Sequence, residues 1–158
     1  QGVPDDDRYI SLARDTRDLA KPGVIPHDPQ EALDKAKEVI AGHGVKLIEK
    51  PVTGVNQFDR FTTAMPTAIY LKPGFYDQPV HIQANTLWHE IVHIRQWKRM
   101  GVKQMAVLWA VYPEGRWSIE TVAYRESARS IRRFQPYYNY TVEEWAPGRA
   151  DRECAGSV

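Results

Sequence analysis

The stretch Leu87-Trp88-His89-Glu90-Ile91-Val92-His93-Ile94-Arg95-Gln96-Trp97 decides how this chain is read. Its kernel, His89-Glu90-Ile91-Val92-His93, has the His-Glu-x-x-His spacing. On an α-helix, residues four apart stack on one face, so both imidazoles can reach a single ion. Zinc accepts such nitrogens at about 2.0–2.1 Å. Glu90 lies one position along and leans over the same ion, where it can act as general base on a water that the metal activates. The bland alternative is an exposed helix with two unrelated histidines. The flanks count against it, because Leu87, Trp88, Ile91, Val92, Ile94 and Trp97 surround the motif almost all round and predict a buried helix. Buried histidines need polar partners, and a metal supplies one. The helix is expected from about Asn85, or a cap just before it, to Met100. Lys98 and Arg99 lie in its last turn and Gly101 stops it.

A catalytic zinc needs a third protein ligand and one open position. His93 is the last histidine in the chain, so schemes with a third histidine downstream are excluded. His81 precedes the helix and reads as a solvated loop residue. Three carboxylates follow: Glu114, Glu120 and Glu126. Glu114 lies between Pro113 and Gly115, in an expected turn. Glu126 shares a helical face with Arg129, Ser130 and Arg133, which reads as solvated and charge-paired. Glu120 shares its face with Ala123, Tyr124, Ser127, Ile131 and Phe134, a stripe suited to close packing on another helix. A carboxylate at the head of such a stripe is explained by an ion on the facing helix. Glu120 is therefore favoured, with Glu126 and Glu114 as the alternatives.

Around this core the chain organises simply. Its 158 residues make room for one domain. The 42% hydrophobic and 26% charged composition is that of a globular protein. Lys plus Arg is 21 and Asp plus Glu is 20, which excludes a polyanion binder held by net charge; no nucleic-acid partner is expected. The lone Cys154 excludes an internal disulfide and a multi-thiolate zinc ribbon. No apolar run is long enough for a membrane span. Gln1 to Asp7 is no signal peptide, and export is left open because a leader could precede it. Residues 1–27 are expected to form an N-terminal arm and 135–158 a C-terminal tail flanking a domain at 28–134. Asp28, Pro29 and Glu31 announce a helix through cap, first-position proline and capping box. Val45–Glu49 and Thr67–Lys72 read as strands, with a short strand possible at Phe58–Thr62. A further helix is expected from Val102 to Trp109, broken at Tyr112–Gly115, and a last one from Ser118 to Phe134. Arg129, Arg132 and Arg133 read as a solvated helix face, and Asn139-Tyr140-Thr141 as a glycosylation sequon without use.

The stretch Leu87–Trp97, followed by Glu120-Thr121-Val122-Ala123-Tyr124, resembles the gluzincin zinc metallopeptidases, most closely their small single-domain members, the minigluzincins. The resemblance covers roughly residues 65–130. It implies a zincin-like α+β fold: a small mixed sheet with an edge strand over the active-site cleft, and a zinc helix packed on a glutamate-bearing helix. It implies one Zn2+ per chain on His89, His93 and Glu120, with Glu90 as catalytic base. Thr67–Lys72 would be the upper edge strand, with Thr67, Ala68, Ile69 and Tyr70 binding an extended peptide by backbone hydrogen bonds. Larger members carry an aspartate where this chain has Tyr124, so a zinc histidine is expected to be oriented by the Tyr124 phenol or a backbone carbonyl. Tyr124, Arg125 and Tyr112 are the expected oxyanion donors. The implied activity is hydrolysis of peptide bonds in a peptide or protein substrate, in a bacterial- or phage-type protein. The alternatives are a cell-wall amide hydrolase and a latent or vestigial zinc-binding structural or toxin-like module. Both termini carry groups able to cover the site, Asp5–Asp7 at one end and Tyr137, Tyr138, Tyr140 and Cys154 at the other, so self-inhibition by a terminal segment is expected as one form of control.

Overall fold

The computed structural model describes residues 16–20, 25–111 and 113–134. The expectations placed on Asp5–Asp7, Tyr112, Tyr137, Tyr138, Tyr140, Cys154 and the sequon fall outside them. Helix α1, Pro29–Gly42, starts as its sequence announces: the Asp28 carboxylate accepts from the Glu31 amide at 3.0 Å and proline occupies the first turn. It buries Ala32, Leu33, Ala36 and Ile40. Strand β1, Lys46–Glu49, follows a turn in which Gly44 takes φ 73°, a conformation that glycine adopts without strain.

The next segment corrects the sequence reading. Residues 56–60 form a short helix, α2 (Asn56–Arg60), and the strand begins only at Thr63 as β2 (Thr63–Ala64). The Asp59 carboxylate closes this loop on itself, accepting from the Thr53 amide and hydroxyl and from the Gly54 amide at 2.8–3.0 Å. Such a knot cannot lie flat as a strand. Strand β3, Ala68–Leu71, runs parallel to β1 and antiparallel to β2, giving the order β1-β3-β2. The expected edge strand is therefore the central one. Thr63 and Ala64 pair with Tyr70 and Ile69, and the Met65 amide donates to the Ala68 carbonyl, so the backbone of residues 68–70 is engaged on both sides.

Helix α3, Val80–Met100, begins five residues before Asn85, with Pro79 at its N-cap position. The Gln83 amide ties this start down by donating to the carbonyls of Tyr76 and Gln78 at 3.2 and 2.8 Å. His81 thus belongs to the first helical turn and not to a loop. Leu87, Trp88, Ile91 and Ile94 pack with the buried face of α1 and with Ile69 and Leu71 in the main core. Each fully buried Leu or Ile contributes roughly 1.5–3 kcal/mol. Two indoles fasten the helix to its neighbours: Trp88 Nε1 donates to the Ala32 carbonyl at 3.1 Å and Trp97 Nε1 to the Ala64 carbonyl at 2.9 Å.

Gly101, at φ 86°, ends α3 and opens α4, Val102–Val111. Helix α5 runs Pro113–Arg133. Of the break expected at Tyr112–Gly115, residues 113–115 are helical, because proline is at home in a first turn, where its missing N–H has no partner to lose. Ser118 Oγ already donates to the Glu114 carbonyl within this helix. Met105, Leu108 and Ile119 form a second cluster with Trp97 and Met100, and Val92, Val122 and Ala123 join α3 to α5. Within the expected N-terminal arm, a 3-10 turn at Arg17–Ala20 docks on α3 and α5; Asp18 takes both guanidinium nitrogens of Arg99 at 2.9 Å. The architecture is α+β, mostly helical, and no described helix is long and apolar enough to cross a membrane.

Candidate metal centre

His89 and His93 leave α3 on the face turned to α5, and Glu120 leaves α5 toward them. All three are buried, at 8%, 4% and 6% exposure. The Nε2 atoms of the histidines lie 3.2 Å apart. Glu120 reaches His93 Nε2 at 2.6 Å through Oε1 and His89 Nε2 at 3.4 Å through Oε2. The ligand atoms all fall within 4.8 Å of one another, so the group could hold a metal ion. Two nitrogens and a carboxylate oxygen suit zinc among other divalent ions.

The remaining ring nitrogens strengthen the fit. His93 Nδ1 meets Gln96 Oε1 at 2.8 Å, and the Gln96 amide nitrogen donates to Thr16 Oγ1 and the Ile119 carbonyl. That arrangement makes Gln96 the acceptor, puts the proton on Nδ1 and leaves the Nε2 lone pair for the centre. His89 Nδ1 meets Ser127 Oγ at 3.0 Å. Both histidines are therefore oriented by side chains, not by the Tyr124 phenol or a backbone carbonyl as expected. The signal was present in the sequence: Gln96 stands three residues after His93, one turn along its face, and Ser127 lies on the Glu120 face.

Electrostatics match this geometry. Burial opposes charge on His93, but the Glu120 carboxylate outweighs it and pushes the imidazole up to about 9. Burial likewise opposes charge on Glu120, and the two imidazoles overcome it, holding the carboxyl well below the usual range. Each of the two groups thus favours the charged form of the other, and a cation entering between them would replace the imidazole proton.

The other carboxylates are elsewhere. Glu114 is exposed in the first turn of α5. Glu126 departs from the solvated face read from the sequence: its side chain is fully buried, with Arg129 Nη1 at 3.7 Å and neither oxygen hydrogen-bonded among the described residues. Helix α5 packs on α3, α4 and the Arg17–Ala20 turn, so more of its circumference is covered than a one-faced helix would show. Burial pushes Glu126 up to about 7, against the opposing pull of Arg129 and Arg95.

An open cleft adjoins the centre. His89, Glu90, Tyr124 and Ser127 line its floor. The Tyr124 ring lies against the His89 ring, centroids 4.6 Å apart and tilted by 59°. Arg125 is exposed and off this lining. Thr67, Ala68, Ile69 and Tyr70 do not line the cleft either; its rim comes from Arg60, Phe61, Thr62 and Lys72. These residues carry no local motif and meet only when the segment before β2 folds against the end of β3. No protein-family model, curated protein or solved structure matches this chain.

Proposed function

We propose that the chain is a zinc-dependent peptidase of the gluzincin type. The observation that supports this best is the convergence of Glu120, from a different helix, on the Nε2 atoms of His89 and His93, with Glu90 lining the cleft beside them. A zinc ion held there would polarise a carbonyl and acidify a water molecule. Glu90 accepts the proton from the attacking water and hands it to the amine that leaves. Tyr124, whose ring borders the cleft, is the donor suited to the oxyanion that develops on the scissile carbonyl. Gln96 keeps the His93 imidazole in the tautomer that faces the centre, and Ser127 fixes the orientation of the His89 ring. An intact Glu90 speaks against a purely structural zinc, which has no use for a general base.

The test is metal analysis beside digestion of a broad peptide library. Wild type should bind one zinc and cleave. Glu90→Gln should retain zinc yet lose nearly all cleavage, because an amide cannot accept the proton. Glu120→Ala should weaken zinc retention at least about tenfold, on the scale of a disturbed ligand sphere. Near-wild-type turnover by Glu90→Gln, or undiminished zinc in Glu120→Ala, overturns the assignment.

A further inference from the structure

Among the described residues that line the cleft, two are cations. Arg60, at the end of α2, and Lys72, just past β3, line the cleft, and among the described residues Glu90 is the one carboxylate that lines it with them. The two cationic segments are joined, since the Lys72 amide donates to Thr62 Oγ1 at 3.0 Å. Asp59, next to Arg60 in sequence, forms no ion pair with it: its carboxylate accepts from Thr53 and Gly54 and its charge acts on the Lys50 ammonium. The Arg60 guanidinium rests over the Phe61 ring, 5.2 Å from its centroid. Among the described residues, neither Arg60 nor Lys72 forms an ion pair. Lys50 Nζ donates to the Phe61 carbonyl at 2.6 Å and so holds the segment next to Arg60 in place.

Surface cations without partners are ordinary, and singly they mean little. Here two of them flank a concave site that holds the proposed base. In a cleft with low-dielectric walls, charges of one sign focus the field and select ligands of the opposite sign. We propose that Arg60 and Lys72 bind a carboxylate of the substrate close to the bond that is cut. The inference rests on the peptidase reading and names its substrate class: a peptide with an aspartate or glutamate side chain, or its own C-terminal carboxylate, beside the scissile bond. The remaining lining includes the neutral hydrogen-bonding side chains of Thr62, Gln78, Asn85 and Thr86, which suit a peptide backbone.

The experiment uses the full chain loaded with zinc and a set of fluorescent peptides. They carry Asp, Asn or Lys at successive positions, each with a free or an amidated C-terminus. Two readouts are taken: kcat/KM with wild type, and equilibrium binding to Glu90→Gln by fluorescence anisotropy. A charge-assisted contact in a cleft should favour the carboxylate at one position by at least about tenfold in both. High salt should shrink the preference. An advantage that follows Asp over Asn assigns a side-chain carboxylate; one that follows acid over amide assigns the C-terminus. In the double variant R60Q/K72Q the ratio should fall to near one, and in R60E/K72E it should turn toward lysine-bearing peptides. Equal binding and cleavage of charged and neutral peptides by the wild-type rim, or a preference that survives R60Q/K72Q, overturns the inference. Cleavage without charge preference leaves the peptidase reading standing. Charge-selective binding without cleavage of any peptide by zinc-loaded wild type defeats that reading alone.

Discussion

Glu126 shows how much one carboxylate can depend on its surroundings. Its neighbour one turn away on α5, Ala123, faces the histidine helix, while Glu126 itself is buried near Arg95 and Arg129 without a hydrogen bond to either oxygen. Its pKa rises from 4.5 to about 7 on folding, chiefly through burial. Below about pH 4.5 the carboxyl is protonated in folded and unfolded chains alike and costs nothing extra. Between there and pH 7 the unfolded chain gives up its proton first, so stability falls as pH rises. Above about pH 7 the full penalty stands, up to about 3 kcal/mol for a shift of this size. Glu126→Gln should therefore be more stable than wild type at pH 8 and no more stable at pH 4. Urea unfolding at the two pH values checks this, and a variant that loses stability at pH 8 would show that the charged form is supported by Arg95 and Arg129. From the sequence this residue read as solvated, because Arg129 and Arg133 share its face. What they could not reveal is the number of elements packed around α5.

Among elements, the contact of α3 with α5 matters most, since each helix brings only part of the candidate metal site. The join is made of small or slender side chains, Val92 against Val122 and Ala123, with Ala123 at 0% exposure. Enlarging it should part the helices. Ala123→Leu is expected to cost about 1–3 kcal/mol by overpacking and, more tellingly, to weaken zinc binding at least about tenfold by drawing Glu120 from the histidines. Ala128→Leu, on a half-buried part of the same helix, should not weaken zinc binding. Zinc titration against a chromophoric chelator separates the two; equal affinities would mean that the ligand geometry does not depend on this contact. The helices themselves were legible because their signals are local: a capping box for α1, apolar residues around a His-Glu-x-x-His for α3, a stop at Gly101. The start of α3 was not, since Gln83 fastens it through carbonyls of the preceding loop. Neither was the place of β3. Thr67–Lys72 was recognisable as a strand, but which strands flank it depends on β2, whose two residues are too few to announce themselves.

For the whole molecule, a metal at this centre would join α3 to α5 as a cross-link present only in the folded chain. A ligand that binds the native state alone stabilises it by about 2.7 kcal/mol at a hundredfold excess over Kd. For a domain of this size that corresponds to a rise in Tm of roughly 5–10 °C. Removing metal with a chelator should lower Tm by that order and adding zinc should restore it. Glu120→Ala should respond much less. A variant lacking Glu120 that responds as fully as wild type would place the stabilising ion elsewhere.

The sequence by itself determined the chemistry on offer: two imidazoles and a carboxylate at helical spacing, a favoured glutamate on a second helix, and a mixed α+β chain. Those features rest on residues near one another along the chain, where periodicity is a sufficient guide. Tertiary structure decided what meets across distance. It brought Glu120 to the histidines and sent Glu126 into the interior. It set Gln96 and Ser127 against the outer ring nitrogens, enclosed β3 between two strands, and brought Arg60 and Lys72 to one cleft. Each of these depends on which surfaces are left to cover one another after the helices have formed, and no local pattern records that.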